Sequence, residues 1–167
     1  SFKTLFINQE KYHKINHTKI LRESMQPKTY QTRIYYEDTD CGGIVYHANY
    51  LKYCERARSE WFFAQGILPQ QNNIGFVVKN MNLDFLSPAK LGDLLTIHTE
   101  ILEQKNASIT LKQTILRESL SKQTQTKKPI FVAIITLVCF ETTAQKITKI
   151  PQWAKDIFNI PHQNQIN

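Results

Sequence analysis

Apolar residues recur along this chain with two different periods, and the change of period divides it into elements. Between Ala48 and Gln65, the residues Tyr50, Leu51, Tyr53, Cys54, Ala57, Trp61, Phe62 and Ala64 fall on one half of a helical wheel. Lys52, Glu55, Arg56, Ser59 and Glu60 fall mostly on the other half. This spacing predicts one amphipathic helix over 48–65, with Gly66 just past its end. So wide an apolar arc exceeds what a surface helix needs and suits a helix cradled by a curved sheet.

Elsewhere the period is two. The β-branched and aromatic residues of 29–37 (Tyr30, Thr32, Ile34, Tyr35, Tyr36) predict a first strand, broken by 38–43. After the helix, 76–86 alternates Met81, Leu83 and Phe85 with Asn80, Asn82 and Asp84, the pattern of a half-buried strand. Pro88 ends it, and Lys90–Asp93 turns the chain. Two further strands are expected over 94–104 (Leu95, Ile97, Thr99, Ile101 on one side) and 108–117 (Ile109, Leu111, Ile115). A polar loop over 118–128 precedes the most apolar strand, 130–141, which belongs in the sheet interior. Pro151 opens a short terminal helix that packs through Trp153, Ile157 and Phe158. Several long strands, one long helix and no βαβ alternation predict an α+β fold, an antiparallel sheet wrapped on a single helix.

The 167 residues suffice for one domain with its own core. Residues 29–167 form that domain, and 1–28 read as a basic N-terminal appendage with six basic and two acidic side chains and no sustained period. Met25 lies just before the first strand, so the functional domain is expected to begin near it. His13 and His17 have the spacing of a helical zinc pair, but no third ligand lies nearby. The cysteines Cys41, Cys54 and Cys139 make neither a CxxC pair nor an even framework, which points to a reducing, cytoplasmic compartment. The longest apolar run, 130–140, is far short of the roughly 18 residues a membrane-spanning helix needs. The net charge of +7 favours an anionic partner, and the basic groups lack the aromatic interleaving of a nucleic-acid platform. No nucleic acid is therefore expected.

The chemistry concentrates in 35–61, where Glu37, Asp38 and Asp40, a Gly42-Gly43 turn and His47 immediately precede the helix. Asp38 and Asp40 are turn formers and His47 is a polar residue at a helix start, which is how such residues are commonly used. A metal set of Asp38, Asp40 and His47 lacks the remaining ligands of a calcium or zinc site. A Cys41–His47 nucleophile pair has nothing that marks the thiol as activated. A carboxylate beside a helix N-terminus could attack a carbonyl or activate water, while free N–H groups hold the oxyanion. On chemistry alone the turn and catalytic readings remain level.

The run EDTDCGGIVYHANYLKYCERARSEW resembles YbgC-type acyl-CoA thioesterases of the hotdog superfamily, related to 4-hydroxybenzoyl-CoA thioesterase. The later SPAKLGDLL resembles that family's turn between its second and third strands, and the likeness spans 29–141. It implies a hotdog fold and hydrolysis of acyl-CoA to free acid and coenzyme A. Asp40 takes the place of the catalytic carboxylate, and the backbone N–H at His47 that of the carbonyl-binding group. The His47 side chain and Tyr36 are implied at the site, Gly43 in the substrate-approach turn, and Asn49 in a helix-start or structural role. Cys41 stands where a small residue suffices.

Further expectations follow from the same resemblance. The protein is a homodimer built edge to edge, or a dimer of dimers, with sites at the interface. Lys122, Lys127 and Lys128 are candidates for the coenzyme A phosphates. No cofactor is expected, since coenzyme A enters as part of the substrate. Phe62, Phe63 and Ile67 are candidates for the far end of the acyl pocket. Glu55 is the runner-up carboxylate, with a solvated role preferred. The rival functions are a 3-hydroxyacyl dehydratase and a non-catalytic module that binds acyl-CoA or acyl carrier protein.

Overall fold

The computed structural model describes residues 29–118 and 128–159. The appendage 1–28 and the loop lysines Lys122 and Lys127 lie outside these residues. The elements in chain order are β1 (Tyr30–Arg33), a 3-10 turn (Tyr36–Asp38), α1 (Asn49–Phe63), β2 (Ile74–Phe85), β3 (Leu94–Gln104), β4 (Ser108–Glu118), β5 (Lys128–Glu141), β6 (Lys146–Ile147) and α2 (Gln152–Phe158). The strands form one antiparallel sheet in the order β1-β3-β4-β5-β2, with β6 paired to the end of β5. This is the expected hotdog arrangement, a sheet around one long helix.

The helix buries the predicted face. Tyr50, Tyr53, Cys54, Ala57, Trp61 and Phe62 are buried, whereas Ala64, counted on the same half, is exposed. Removing a large apolar side chain of this kind from water contributes about 2–3 kcal/mol. Gly66 closes α1 at φ +70°: its N–H donates to the Phe63 carbonyl at 2.9 Å and that of Ile67 to the Phe62 carbonyl at 3.1 Å. A residue with a Cβ would be strained in that left-handed close.

On the sheet side, inward residues of β3, β4 and β5 such as Leu95, Ile97, Ile109, Leu111, Ile115, Phe131 and Ile135 complete the core. As expected, β5 is interior, flanked by β4 and β2. α2 brings Ile157 and Phe158 onto the open end of α1, where Phe158 meets Phe62 edge to face at 5.9 Å.

Two expectations are corrected. The first strand ends at Arg33 rather than near 37, because Asp38 draws the chain into a turn. Its N–H donates to the Tyr35 carbonyl at 3.1 Å, and its Oδ2 accepts the Tyr35 N–H at 2.9 Å. The second concerns β2, whose alternating apolar side chains are only partly covered: Met81 is 43% and Phe85 52% exposed, as are Val77 (43%) and Val78 (44%). The reason is position, since β2 is an edge strand with β5 on one side only.

Candidate functional site

The 38–47 loop is held from three directions. Asp40 and Ile44 close a tight turn, with the Asp40 N–H donating to the Ile44 carbonyl and the Gly43 N–H to the Asp40 carbonyl, both at 3.0 Å. Gly43 adopts φ +71°, which a side chain would resist. The SPAK segment lies alongside, for the Val45 N–H donates to the Ala89 carbonyl at 2.9 Å. The Ala89 N–H in turn donates to the Tyr50 hydroxyl at 3.0 Å, so α1 itself pins that segment. The two motifs that stand apart in sequence thus meet in space.

Asp38 is the hub of the loop. Its Oδ1 accepts the Tyr53 hydroxyl at 2.8 Å, and its carbonyl accepts the Asn49 side-chain amide at 3.0 Å and the Tyr46 N–H at 2.9 Å. Asn49 therefore ties the first turn of α1 to the loop, a structural role. Burial, with the Asp38 carboxylate second, pushes the Tyr53 hydroxyl far above its ordinary pKa, so it stays a donor. With both Asp38 oxygens occupied, neither the metal reading nor a catalytic one suits it. Nothing in the spacing from Asp38 to Tyr53 had signalled this pair.

Asp40 is exposed, and its Oδ1 accepts the Gly42 N–H at 2.8 Å. His47 is also exposed, its ring 4.4 Å from that of Tyr46. Among the described residues the His47 N–H has no acceptor, and Ala48, the N-cap of α1, makes no side-chain cap. Tyr36 is 82% exposed. Asp40, Gly43 and His47 thus share one short loop at the start of α1, open to solvent in the single chain, with Tyr36 in the turn that leads into it. Lys128 is exposed at the start of β5, opposite Arg117 of β4. Cys41 is a free thiol, exposed to solvent. No group of three or more His, Cys, Asp or Glu side chains that could hold a metal occurs among the described residues.

Farther along α1 a cavity of about 340 Å³ opens toward β2 and β5. Phe62 lines it, but Phe63 and Ile67 do not; Phe63 is exposed and Ile67 packs against the core. Glu55, Arg58 and Ser59 supply its polar wall, and Ser59 Oγ donates to Glu55 Oε1 at 2.6 Å. Sequence reasoning passed over Arg58, whose Nη1 donates to Gln113 Oε1 at 2.9 Å. The available signal was Gln113 itself, at an inward position of β4 between Leu111 and Ile115 and 0% exposed. An amide on an apolar face requires partners, and Gln113 Nε2 finds them in the Cys54 carbonyl and Thr99 Oγ1, both at 2.9 Å.

Comparison with known proteins follows the same lines. The Thioesterase superfamily profile matches residues 42–122. The acyl-CoA thioesterase YbgC of Helicobacter pylori is 41% identical over 128 residues, covering 76% of this chain and 96% of that protein. A probable thioesterase of Bartonella henselae is similar in structure at a TM-score of 0.62 and 31% identity, over 74% of this chain and 97% of that one. The 4-hydroxybenzoyl CoA thioesterase of Pseudomonas sp. strain CBS-3, 23% identical with a TM-score of 0.68 over 78% of this chain and 97% of that one, shares the fold. By this similarity along nearly the full length of a curated relative, the chain belongs to the YbgC acyl-CoA thioesterase family within the thioesterase superfamily and is a thioester hydrolase.

Proposed function

We propose that the chain hydrolyses acyl-CoA thioesters, with the substrate carbonyl on the His47 N–H and Asp40 as the carboxylate that acts on it. The observation that carries this is the juxtaposition, in one short loop, of an exposed carboxylate and a helix start without a side-chain cap, where the His47 N–H has no acceptor among the described residues. An oxyanion that forms there meets a donor fixed before the reaction, worth on the order of 3 kcal/mol to the transition state. As nucleophile, an Asp40 oxygen bonds to the carbonyl carbon and coenzyme A leaves as thiolate; water then cleaves the anhydride. As general base, Asp40 takes the proton of the attacking water instead. The His47 imidazole and the Tyr36 hydroxyl serve to move a proton or hold the substrate, and Gly43 lets the backbone approach it.

Lys122, Lys127 and Lys128 are assigned to the anionic end of coenzyme A, and Lys128 has Arg117 opposite it to add charge. Two copies pair along their β2 edges, a reading supported by the open edge and the exposed Val77, Val78, Met81 and Phe85 upon it. The catalytic unit runs over 29–167, with 1–28 as an appendage.

The test is free-thiol release from short, aromatic and long acyl-CoAs by wild type and Asp40→Asn. Hydrolysis that disappears in the folded variant is the expected result. Substantial residual turnover would remove Asp40 from its role, and binding of acyl-CoA without hydrolysis would favour the binding-module reading.

A further inference from the structure

Arg58 sits in the second half of α1 with much of its guanidinium withdrawn from water, and burial pulls its pKa below the ordinary arginine value. Among the described residues it makes no ion pair, and its bond to Gln113 is to a neutral amide. Glu55, on the same rim, acts on it through its field and is held by Ser59. A guanidinium has five N–H donors. No buried side-chain nitrogen or oxygen among the described residues lacks a partner, so any donor Arg58 keeps spare is one that solvent reaches, and Arg58 lines the cavity. The facing walls are mostly apolar, with Phe76, Leu137 and Phe158 among them and Gln70 and Thr142 as polar members. A cation set into such a wall without an anion in contact is unfavourable unless something completes it.

The cavity is also placed to receive substrate. The start of α1 lies beside the end of β2, where the Tyr50 and Phe85 rings are 5.7 Å apart, and the end of α1 lies beside the start of β2, where Phe62 and Phe76 are 6.3 Å apart. A two-fold axis across the middle of β2 exchanges these ends. It would bring the second copy's helix start toward the Gly75–Val78 stretch that walls this cavity. At about 340 Å³ the cavity has room for roughly eleven water-sized groups of about 30 Å³ each, the scale of a medium-length acyl group.

We propose that this cavity receives the far end of the acyl group and that Arg58 selects acyl groups ending in an acceptor oxygen, a carboxylate or a hydroxyl, over plain alkyl chains. The proposal rests on the thioesterase reading and on pairing through β2. Arg58 is here a specificity-determining residue; Gln113 is the positioning residue that holds one arm of its fork and leaves the others to the ligand.

The experiment compares kcat/KM for octanoyl-CoA, its 8-hydroxy analogue and the octanedioic monothioester of coenzyme A. Wild type, Arg58→Gln and Arg58→Met are measured side by side. Wild type is expected to favour at least one oxygenated member about tenfold, the value of one charge-assisted hydrogen bond. The two oxygenated members separate carboxylate from hydroxyl. In the variants the ratio falls toward unity, chiefly through KM. A wild type without preference, or variants that slow every member by the same factor, would overturn the proposal. The wild-type ratio stands as a test even where a variant fails to fold. If wild type hydrolysed none of the three while hydrolysing other acyl-CoAs, the cavity assignment alone would fall; if it hydrolysed no acyl-CoA at all, the thioesterase reading would fall and this proposal with it.

Discussion

Tyr53→Phe removes one oxygen atom and with it the bond that joins the first half of α1 to the 38–47 loop. Tyr53 is 1% exposed, and its hydroxyl donates to Asp38 Oδ1 at 2.8 Å. A hydrogen bond to a charged group contributes about 1.5–3 kcal/mol net. Asp38 is only partly buried, so water can reach the freed oxygen and the loss falls at the lower end, about 1.5 kcal/mol. The ring still fills its place, which leaves the packing term small. For a domain of this size, that corresponds to a melting temperature lower by roughly 3–6 °C. The Asp38 carbonyl also accepts Tyr46 N–H and the Asn49 amide, so slack in Asp38 spreads to Asp40 and His47. We expect kcat for acyl-CoA to fall several-fold while KM changes less. Thermal unfolding followed by tryptophan fluorescence, run beside thiol release, measures both effects. A variant that melts within 1 °C of wild type and turns over at the same rate would refute the assignment of Asp38 as the hub.

Three further outcomes are expected. Gln113→Leu should destabilise the protein by about 3 kcal/mol or more, read as a shifted urea midpoint, because it strips Arg58, Thr99 and the Cys54 carbonyl of their shared partner; Gln113→Glu, which offers Arg58 a carboxylate, should lose less. In the native protein a thiol reagent should titrate Cys41 alone, and all three cysteines after unfolding: Cys54 and Cys139 are buried, and burial pushes the Cys54 thiol up to about 12. Stability should be level near neutral pH and decline as pH rises above about 9. The unfolded chain releases the protons of Cys54 and Cys139 near their ordinary values, and those of Tyr50 and Tyr53 near pH 10. The folded state retains these protons to higher pH, so the stability they contribute is complete below the ordinary values and lost as pH climbs through the raised ones. Urea midpoints between pH 7 and 11 check the slope, and a midpoint that rose over that range would contradict it.

The fold was legible where a single face decides it. The period of α1 and the alternation of β3 and β4 were readable because one side of each is buried by its own chain, and the continuous apolar run of β5 marked it as interior. The alternation in β2 was equally clear, yet Met81 and Phe85 are left about half open, since alternation encodes a face meant for covering and not what covers it. The short first strand was misjudged at its end because a side-chain to backbone bond, Asp38 to Tyr35, outcompeted the extended propensity of Tyr35 and Tyr36.

By itself, then, the sequence determined the helix, most strands, their assignment to an antiparallel sheet and, through the run from Glu37 to Trp61, the family and its chemistry. These depend on local order along the chain, which spacing preserves. Only the tertiary structure decided that Asp38 is tied up by Tyr53 while Asp40 remains open, that the SPAK turn is pinned to Tyr50, and that Arg58 reaches Gln113 from 55 residues away to face a cavity. Those pairings join residues that the chain separates widely, and partners of that kind are chosen by sheet order and packing, which no local period records.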